Sequence, residues 1–308
     1  MTGEELHLVN DWEQASLPSI GARQKAWFIH PQTRRQGLVK VARRQPDGGS
    51  FIVEGELVGE YLASILGKAL SIAVAEVEPV RYRIKSFLVR GSQDLHKIDE
   101  PIDELCPISW SFLRGGEELV HGSALTDSEN EFRQDSHKLA QLSVDRILHA
   151  LESRLEQKVA RRYLVEMILF DILVGNTDRH QQNWGLVKGP SGFRPAPLFD
   201  NGAGFGCCHA PHNLDSINLD QFNSRFKHEF SVSSQPPKNS TIEELLNRCN
   251  QEDLRPAAVA FRHRLETIDF GTVWHDIHQR VLHEEGQRLG FAKGLLESRR
   301  TLIRDGIR

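Results

Sequence analysis

The chain of 308 residues has few cysteines, no long apolar run and no excess of charge of one sign, and each absence excludes a class of protein. No stretch reaches the roughly 18 apolar residues that a membrane-spanning helix needs. Residues 1–12 carry acidic side chains and no apolar core, which argues against a secretory signal. The 38 Lys and Arg against 42 Asp and Glu give a net charge of −4. Because phosphate neutralisation needs a basic excess, we expect no direct nucleic-acid binding.

The four cysteines show no C-x-x-C spacing and are Cys106, Cys207, Cys208 and Cys249. The adjacent pair could form a strained disulfide or, with His209 and His212, contribute to a metal site. Neighbouring ligands cannot easily close a tetrahedral shell, and no second ligand pair lies at the usual spacing. We therefore expect reduced, inert thiols and a cytoplasmic protein.

Hydrophobic periodicity divides the chain near residue 115 into a strand-rich part and a helix-rich part. In the first part we predict a helix over 54–70, a loop over 45–50, and strands over 26–29, 37–41, 74–89 and 107–113. In the second part we predict helices over 139–155, 159–174 and 241–307, and short strands over 183–187 and 194–199. At about 150 residues per domain, this order favours a two-lobed α+β chain with a ligand cleft between the lobes.

The most informative segment, residues 175–183, follows the predicted buried helix and places Asp178 and Asn183 in a D-x-x-x-x-N spacing. In a phosphoryl-transfer site, one such loop supplies a carboxylate that accepts the proton of the attacking hydroxyl and an amide oxygen that ligates Mg²⁺. Asp200 ends the second strand of the predicted hairpin and could complete the metal site, since Mg²⁺ prefers oxygen ligands. Each motif alone is common in surface loops and turns. Their combination is much rarer and favours a catalytic function.

Residues 172–185 resemble the catalytic loop of HipA-like kinases, and residues 195–202 resemble their metal-binding strand. A more distant resemblance connects the loop to phosphoinositide-kinase-like enzymes. The resemblance implies a bilobal protein-kinase-like fold, with a β-rich lobe over 1–113, a helical lobe over 114–308 and ATP in the cleft between them. It also implies that residues 109–113 and 118–122, including Ser111 and Phe112, form the linker that faces adenine.

The same resemblance implies roles for two charged residues of the first lobe. Lys40 lies in a predicted strand, where the family has a lysine that reaches the α- and β-phosphates of ATP. Glu60 is similar to the helix glutamate that pairs with this lysine, and Glu56, one turn away, is the alternative. An ion pair would hold the lysine on the nucleotide.

Residues 16–25 resemble the short serine-bearing loop that covers the phosphates in HipA-like kinases and can be autophosphorylated. We assign Ser19 and Gly21 to the nucleotide site, with Ser19 as the first candidate for autophosphorylation and Ser16 as the second. A phosphate there would repel the nucleotide phosphates and switch the enzyme off. His180 is also assigned to this site, where it should orient the catalytic loop rather than transfer protons.

The predicted function is that of an ATP- and Mg²⁺-dependent Ser/Thr protein kinase in which Asp178 is the catalytic base. The chain has no room for the additional N-terminal subdomain of full-length HipA, so it resembles the short HipT-type or free-standing members. The family implies a protein substrate with a Ser or Thr acceptor, a toxin that phosphorylates a translation component, and a separate antitoxin. Phosphorylation of a lipid or small-molecule hydroxyl stays open, although few basic clusters could hold an anionic membrane. A non-catalytic ATP-binding regulatory module is the third alternative, disfavoured because the base, metal and lysine positions are all filled.

Overall fold

The structure of the chain is a computed structural model that describes residues 8–15, 24–92, 95–126, 143–232, 238–280 and 286–308, with the backbone alone over 276–280. Ser16, Ser19 and Gly21 lie outside these ranges, so the assignment of the phosphate-covering loop stays a prediction. The described residues fold into a strand-rich part followed by a helix-rich part.

The strands of the described chain are β1 (Glu13–Gln14), β2 (Lys25–Ile29), β3 (Gln36–Lys40), β4 (Arg44–Asp47), β5 (Ser50–Val53), β6 (Val77–Leu88), β7 (Leu95–Trp110), β8 (Glu118–His121), β9 (Gly185–Gly189) and β10 (Gly192–Pro195). The strand-rich part is built on a five-stranded antiparallel sheet with the order β1-β2-β3-β7-β6. Two smaller sheets have the orders β10-β9-β8 and β4-β5. The strands predicted over 26–29 and 37–41 form the hairpin of β2 and β3, which pairs Lys25 with Lys40. Strand β3 is the middle strand of the sheet and ends at Lys40.

Several segments differ from the sequence-based prediction, and the longest of them is β7, which begins at Leu95 where a strand was predicted only over 107–113. Residues 45–50, predicted as a loop, belong to the β4–β5 hairpin, whose turn uses Gly48 and Gly49 at φ values of +52° and +101°. Asp-Gly and Gly-Gly turns allow strands to continue on both sides, so a turn composition does not require a long loop. The strand predicted over 194–199 ends at Pro195 because Pro195 and Pro197 lack the backbone N–H that a sheet needs.

The helices are α1 (Glu56–Ala69), α2 (Gly122–Leu125), α3 (Val144–Glu152), α4 (Gln157–Val174), α5 (Pro211–Leu214), α6 (Leu219–Ser224), α7 (Ile242–Cys249), α8 (Arg255–Thr267), α9 (Phe270–Arg280) and α10 (Gly286–Gly306). The described residues of the region predicted as helical over 241–307 form four helices, the first of which begins with a capping box between Thr241 and Glu244. Over the described part of the chain, we find no helix with the length and apolar content needed to cross a membrane.

The main hydrophobic core joins both parts of the chain and fixes the elements that carry the predicted site. Helix α4 is buried along its second half, as its apolar sequence predicted, and ends directly before the loop at Gly175. The same cluster of buried side chains includes Val58 and Leu62 of α1 and Leu198, two residues before Asp200. A well-packed core resists displacement, so these elements hold their relative positions.

Candidate active site

A buried lysine and two carboxylates form the first part of the site. Lys40, at the end of β3, makes an ion pair with Glu60 of α1, and its Nζ lies 2.8 Å from Oδ1 of Asp200. The Glu60 side chain is 1% exposed, whereas that of Asp200 is 34% exposed. The second oxygen of Glu60 accepts a hydrogen bond of 3.2 Å from the backbone N–H of Asn201. Glu60 therefore contacts both the lysine and the segment that carries Asp200.

A third carboxylate gives this cluster an excess of negative charge. Oxygens of Glu56, Glu60 and Asp200 all lie within 4.8 Å of one another, the one group of potential metal ligands found among the described residues. Burial opposes the charge of Lys40, but Asp200, Glu60 and Glu56 together raise its pKa above the ordinary value. One ammonium group against three carboxylates leaves an environment that favours a divalent cation.

The backbone around Asp200 is held in an unusual conformation by its neighbours. Asp200 itself has a φ of +57°, in the left-handed region that a side chain disfavours. Leu198 exchanges backbone hydrogen bonds with residues 73 and 75, which follow α1. Gly59 of α1 approaches so closely that a Cβ there would lie 3.0 Å from the carbonyl oxygen of Gly202. Helix α1 thus packs directly on the loop that positions the carboxylate.

The loop after α4 forms the second part of the site. Gly175 ends the helix at a φ of +76°, and the Oδ1 of Asn176 accepts a hydrogen bond of 3.0 Å from the backbone N–H of Asp178. Asn183 donates its amide nitrogen to the carbonyl oxygen of Asp178 at 2.7 Å. The amide nitrogen therefore closes the loop, and the amide oxygen is the atom that would bind a cation. The Asp178 side chain is 47% exposed, open to a hydroxyl of another molecule.

His180 lies inside this loop and contacts its backbone. Its Nδ1 accepts a hydrogen bond of 3.2 Å from the N–H of Gln182, and its carbonyl oxygen accepts one of 2.9 Å from Asn183. The Nε2 atom lies 3.9 Å from Oδ1 of Asp178. These contacts are those of a residue that orients the loop.

Arg179 connects the two parts of the site and was not identified from the sequence. Its wholly buried guanidinium donates to both oxygens of Asp171 at 2.9 and 2.7 Å. It also donates to the carbonyl oxygens of Asn183 and Phe199 at 2.7 and 2.6 Å, and to Oδ1 of Asn201 at 2.6 Å. One side chain thus holds helix α4, the Asp178 loop and the Asp200 segment together.

A signal for Arg179 was present in the sequence. Asp171 is a charged residue within the apolar end of α4, and a buried carboxylate requires a cation or several hydrogen-bond donors. Arg179 and His228, whose Nε2 lies 3.1 Å from Asp171, supply both. Burial opposes the ionised form of Asp171, but these two partners hold its pKa below the ordinary value.

Glu229 is a second residue that the sequence did not reveal. It follows the buried His228 and lies close enough to Asp178 to feel its charge. Burial and the Asp178 carboxylate raise the pKa of Glu229 above its ordinary value. Because Glu229 lies 51 positions after Asp178 in the sequence, no motif connects the two residues.

The predicted linker lies beside the Asp200 segment. Ser111 and Phe112 follow β7, and the ring of Phe112 lies 5.9 Å from that of Phe199, centroid to centroid. Arg194 donates to the carbonyl oxygen of Phe112 at 3.1 Å and forms an ion pair with Glu117 at 2.7 Å. These contacts join the linker to the β9–β10 hairpin.

The adjacent cysteines and nearby histidines form no metal cluster within the described ranges. Cys207 and Cys208 form no disulfide, and their sulfur atoms lie 3.6 Å apart. The sulfur of Cys207 contacts the carbonyl oxygen of Gly202, so this thiol packs under the loop that follows Asp200.

Comparison with known families agrees with this arrangement. The family model described as the HipA-like C-terminal domain matches residues 18–252. The chain belongs to this family. The resemblance inferred from the Asp178 loop and the Asp200 segment is therefore confirmed for most of the chain.

The kinase CtkA, matched both by sequence and by structure, places the fold among kinases. The serine/threonine-protein kinase CtkA of Helicobacter pylori strain J99 is 26% identical over 155 residues, which are 44% of this chain and 46%, under half, of CtkA. The crystal structure of the H. pylori proinflammatory kinase CtkA matches with a TM-score of 0.71 at 18% identity, over 98% of this chain and 97% of that one. The α+β kinase-like fold predicted from the sequence is thereby confirmed.

A second relative is more distant. HipA of the Shewanella oneidensis MR-1 toxin–antitoxin system, in a complex with HipB and its operator DNA, matches with a TM-score of 0.51 at 14% identity. The match covers 97% of this chain and 70% of that one. The named relatives are thus a kinase and a toxin–antitoxin protein.

Proposed function

We propose that the chain is an ATP- and Mg²⁺-dependent protein kinase that transfers phosphate to a Ser or Thr hydroxyl. The observation that carries this proposal is the bridge from Lys40 through Glu60 and Asp200 to Arg179 and the Asp178 loop. It brings a buried cation, an oxygen-rich cluster and a half-exposed carboxylate into one arrangement.

The side chains of the site suit both Mg²⁺ and the phosphates of ATP. Asp200 and Asn183 offer the carboxylate and amide oxygens that Mg²⁺ prefers, and Lys40 offers a point charge for phosphate oxygens. When bound, ATP supplies the phosphoryl group and Mg²⁺ neutralises the charge on its phosphates. Ser111 and Phe112 would lie against the adenine, and Ser19 and Gly21 would cover the phosphates. In this proposal residues 1–113 and 114–308 are the two lobes.

The residues of the chain would then have separate roles. Glu60 would hold Lys40 at the phosphates, because its buried carboxylate would stay paired with the ammonium if Asp200 bound the cation. Asp178 orients the acceptor hydroxyl and accepts its proton, while His180 and Asn183 keep the loop in shape. The transfer needs positioning more than covalent chemistry by the protein, so the rigid Arg179 connection contributes directly to the rate.

The choice of acceptor and of partner rests on the relatives. CtkA carries the name of a serine/threonine-protein kinase, which supports a protein acceptor over a lipid or a small molecule. The structure of HipA with HipB, from a toxin–antitoxin system, supports a separate antitoxin partner. Toxin-like action on a translation component and work in the cytoplasm belong to the proposal through the sequence resemblance alone. Autophosphorylation at Ser19 or Ser16 belongs to the same proposal.

Transfer of radiolabelled γ-phosphate tests the proposal with three isosteric variants. We expect Asp178→Asn to slow transfer by about 10²–10⁴-fold, the usual contribution of a general base. Asp200→Asn should be similarly impaired, whereas Asp99→Asn, an exposed aspartate on β7, should match the wild type. Thermal unfolding controls for stability, and mass spectrometry locates the labelled residue. Full activity of Asp178→Asn would contradict the proposal, and ATP binding without any transfer would favour the regulatory module.

A further inference from the structure

A cavity of about 440 Å³ opens beside the proposed base and has no part in the mechanism above. One wall is the start of the Asp178 loop, including Thr177. Another is the segment after Asp200, including Ala203, and the third is α6 with the residues that flank it. Thr177 directly precedes Asp178, and a general base must lie within hydrogen-bond reach of the hydroxyl it serves. The wall of the cavity and the proposed base therefore belong to the same loop.

Part of the wall is aromatic, and its side chains pack against helix α10. Phe222 and Phe226 line the cavity. The ring of Phe222 packs edge-to-face against Phe291 of α10 at 5.3 Å, and Phe226 lies under the guanidinium of Arg299 at 4.5 Å. A preformed apolar wall of this kind binds an apolar side chain without first having to become ordered.

The charge of the cavity has one sign. None of its lining residues is Asp or Glu, whereas Arg225 and His209 both line it. Burial, with Arg90 and Arg288 nearby, lowers the pKa of His209, so Arg225 is the permanent cation of the wall. Arg225 is exposed, and no ion pair links it to a carboxylate of the described residues. A carboxylate from outside the chain would complement this charge.

We infer that this cavity is the acceptor subsite of the kinase, and that it binds a polypeptide carrying an apolar side chain and an adjacent Asp or Glu beside the phosphorylated Ser or Thr. The apolar side chain packs against Phe222 and Phe226, and the carboxylate pairs with Arg225. The inference rests on the proposed function and adds the substrate class to it. A neutral sugar would match neither the aromatic wall nor the charge of Arg225.

A library of Ser- and Thr-centred peptides with randomised flanking positions tests the inference. We expect the wild type to select Asp or Glu at one fixed position next to an apolar residue. Arg225→Glu should lose about tenfold or more of that preference and select Lys or Arg at the same position, because the charge of the wall is reversed. The matched control is Arg81→Glu, an exposed arginine on β6, which should keep the wild-type preference. Thermal unfolding of both variants checks the fold.

The outcomes separate this inference from the proposed function. Uniform phosphorylation of the library by the wild type, or an unchanged preference in Arg225→Glu, would overturn the subsite and leave Asp178-dependent transfer intact. Transfer confined to lipids or small molecules would overturn it as well. If no transfer from ATP depends on Asp178, the proposed function fails and the subsite fails with it.

Discussion

Replacing Arg179 with leucine tests whether one buried side chain holds the two parts of the site together. Arg179 makes five hydrogen bonds to four residues, and neither it nor Asp171 is exposed. Leucine occupies part of the same volume but donates no hydrogen bond. The change therefore removes the connection and leaves Asp171 ionised in the core with His228 and the side-chain amide of Asn176 as its remaining partners.

The expected loss of stability is large for one substitution. Leaving a buried charge without its partner costs about 3–5 kcal/mol. The carbonyl oxygens of Asn183 and Phe199 also lose a donor, at about 1 kcal/mol each, so we expect about 5–7 kcal/mol in total. Adding Asp171→Leu removes the stranded charge and should restore about 3 kcal/mol or more of the stability. It does not restore the connection, so transfer should stay about 100-fold below the wild type.

Urea unfolding of the wild type, both single variants and the double variant gives the coupling energy directly. The fluorescence of Trp184, fully buried beside the loop, reports the transition. We expect Arg179 and Asp171 to be coupled by about 2 kcal/mol or more. A loss below about 1 kcal/mol in Arg179→Leu, or losses that simply add, would refute the reasoning about the buried charge. A double variant that recovered both stability and phosphate transfer would show that Arg179 balances charge without positioning the site.

Three further changes test other contacts of the site. Gly59→Ala should stabilise helix α1 by up to about 1 kcal/mol through its higher helix propensity, yet slow phosphate transfer about tenfold because the new Cβ would press on Gly202. The control is Gly290→Ala, which has nothing within 4 Å of its Cβ and should keep full activity. Glu60→Gln should reduce transfer by about 10–100-fold and raise the KM for ATP, since the lysine loses its buried partner. Burial and the charge of the proposed base raise the pKa of Glu229, so the folded chain keeps this proton to higher pH than the unfolded chain and loses stability as pH rises. Glu229→Gln should therefore increase the Tm at about pH 8 and leave it unchanged at about pH 4, and an equal effect at both values would contradict this.

Local patterns predicted the elements that carry the site. The alternation in β2 and β3, and the apolar second half of α4, are properties of consecutive residues, and both segments form as expected. The pairing of Lys40 with Glu60 came from the family resemblance, and the structure places the two side chains in contact. The predicted roles of these residues in ATP binding and catalysis stay predictions until transfer is measured.

The remaining features depend on residues that are far apart in the sequence. Asp171 could have indicated Arg179, eight positions later, because a carboxylate within an apolar helix needs a cation. No such reasoning leads to His228, which reaches Asp171 from a polar segment without periodicity. The φ angle of Asp200 and the close approach of Gly202 to Gly59 could not be predicted from the sequence either, because both depend on how α1 packs on this segment.

The residues proposed for phosphate transfer and those that line the cavity should respond differently to substitution. The residues proposed for transfer lie in two short segments that Arg179 fastens together, so damage there should reduce transfer to every acceptor alike. The cavity is instead walled by residues of α6 and its flanks, and Arg225 has no bond to the Asp178 loop among the contacts of the described chain. A change at Arg225 should therefore alter which acceptor is used while the rate on the best acceptor stays high. Variants that separate acceptor preference from transfer rate in this way would support two distinct sets of residues, and variants that always lower both would argue for one.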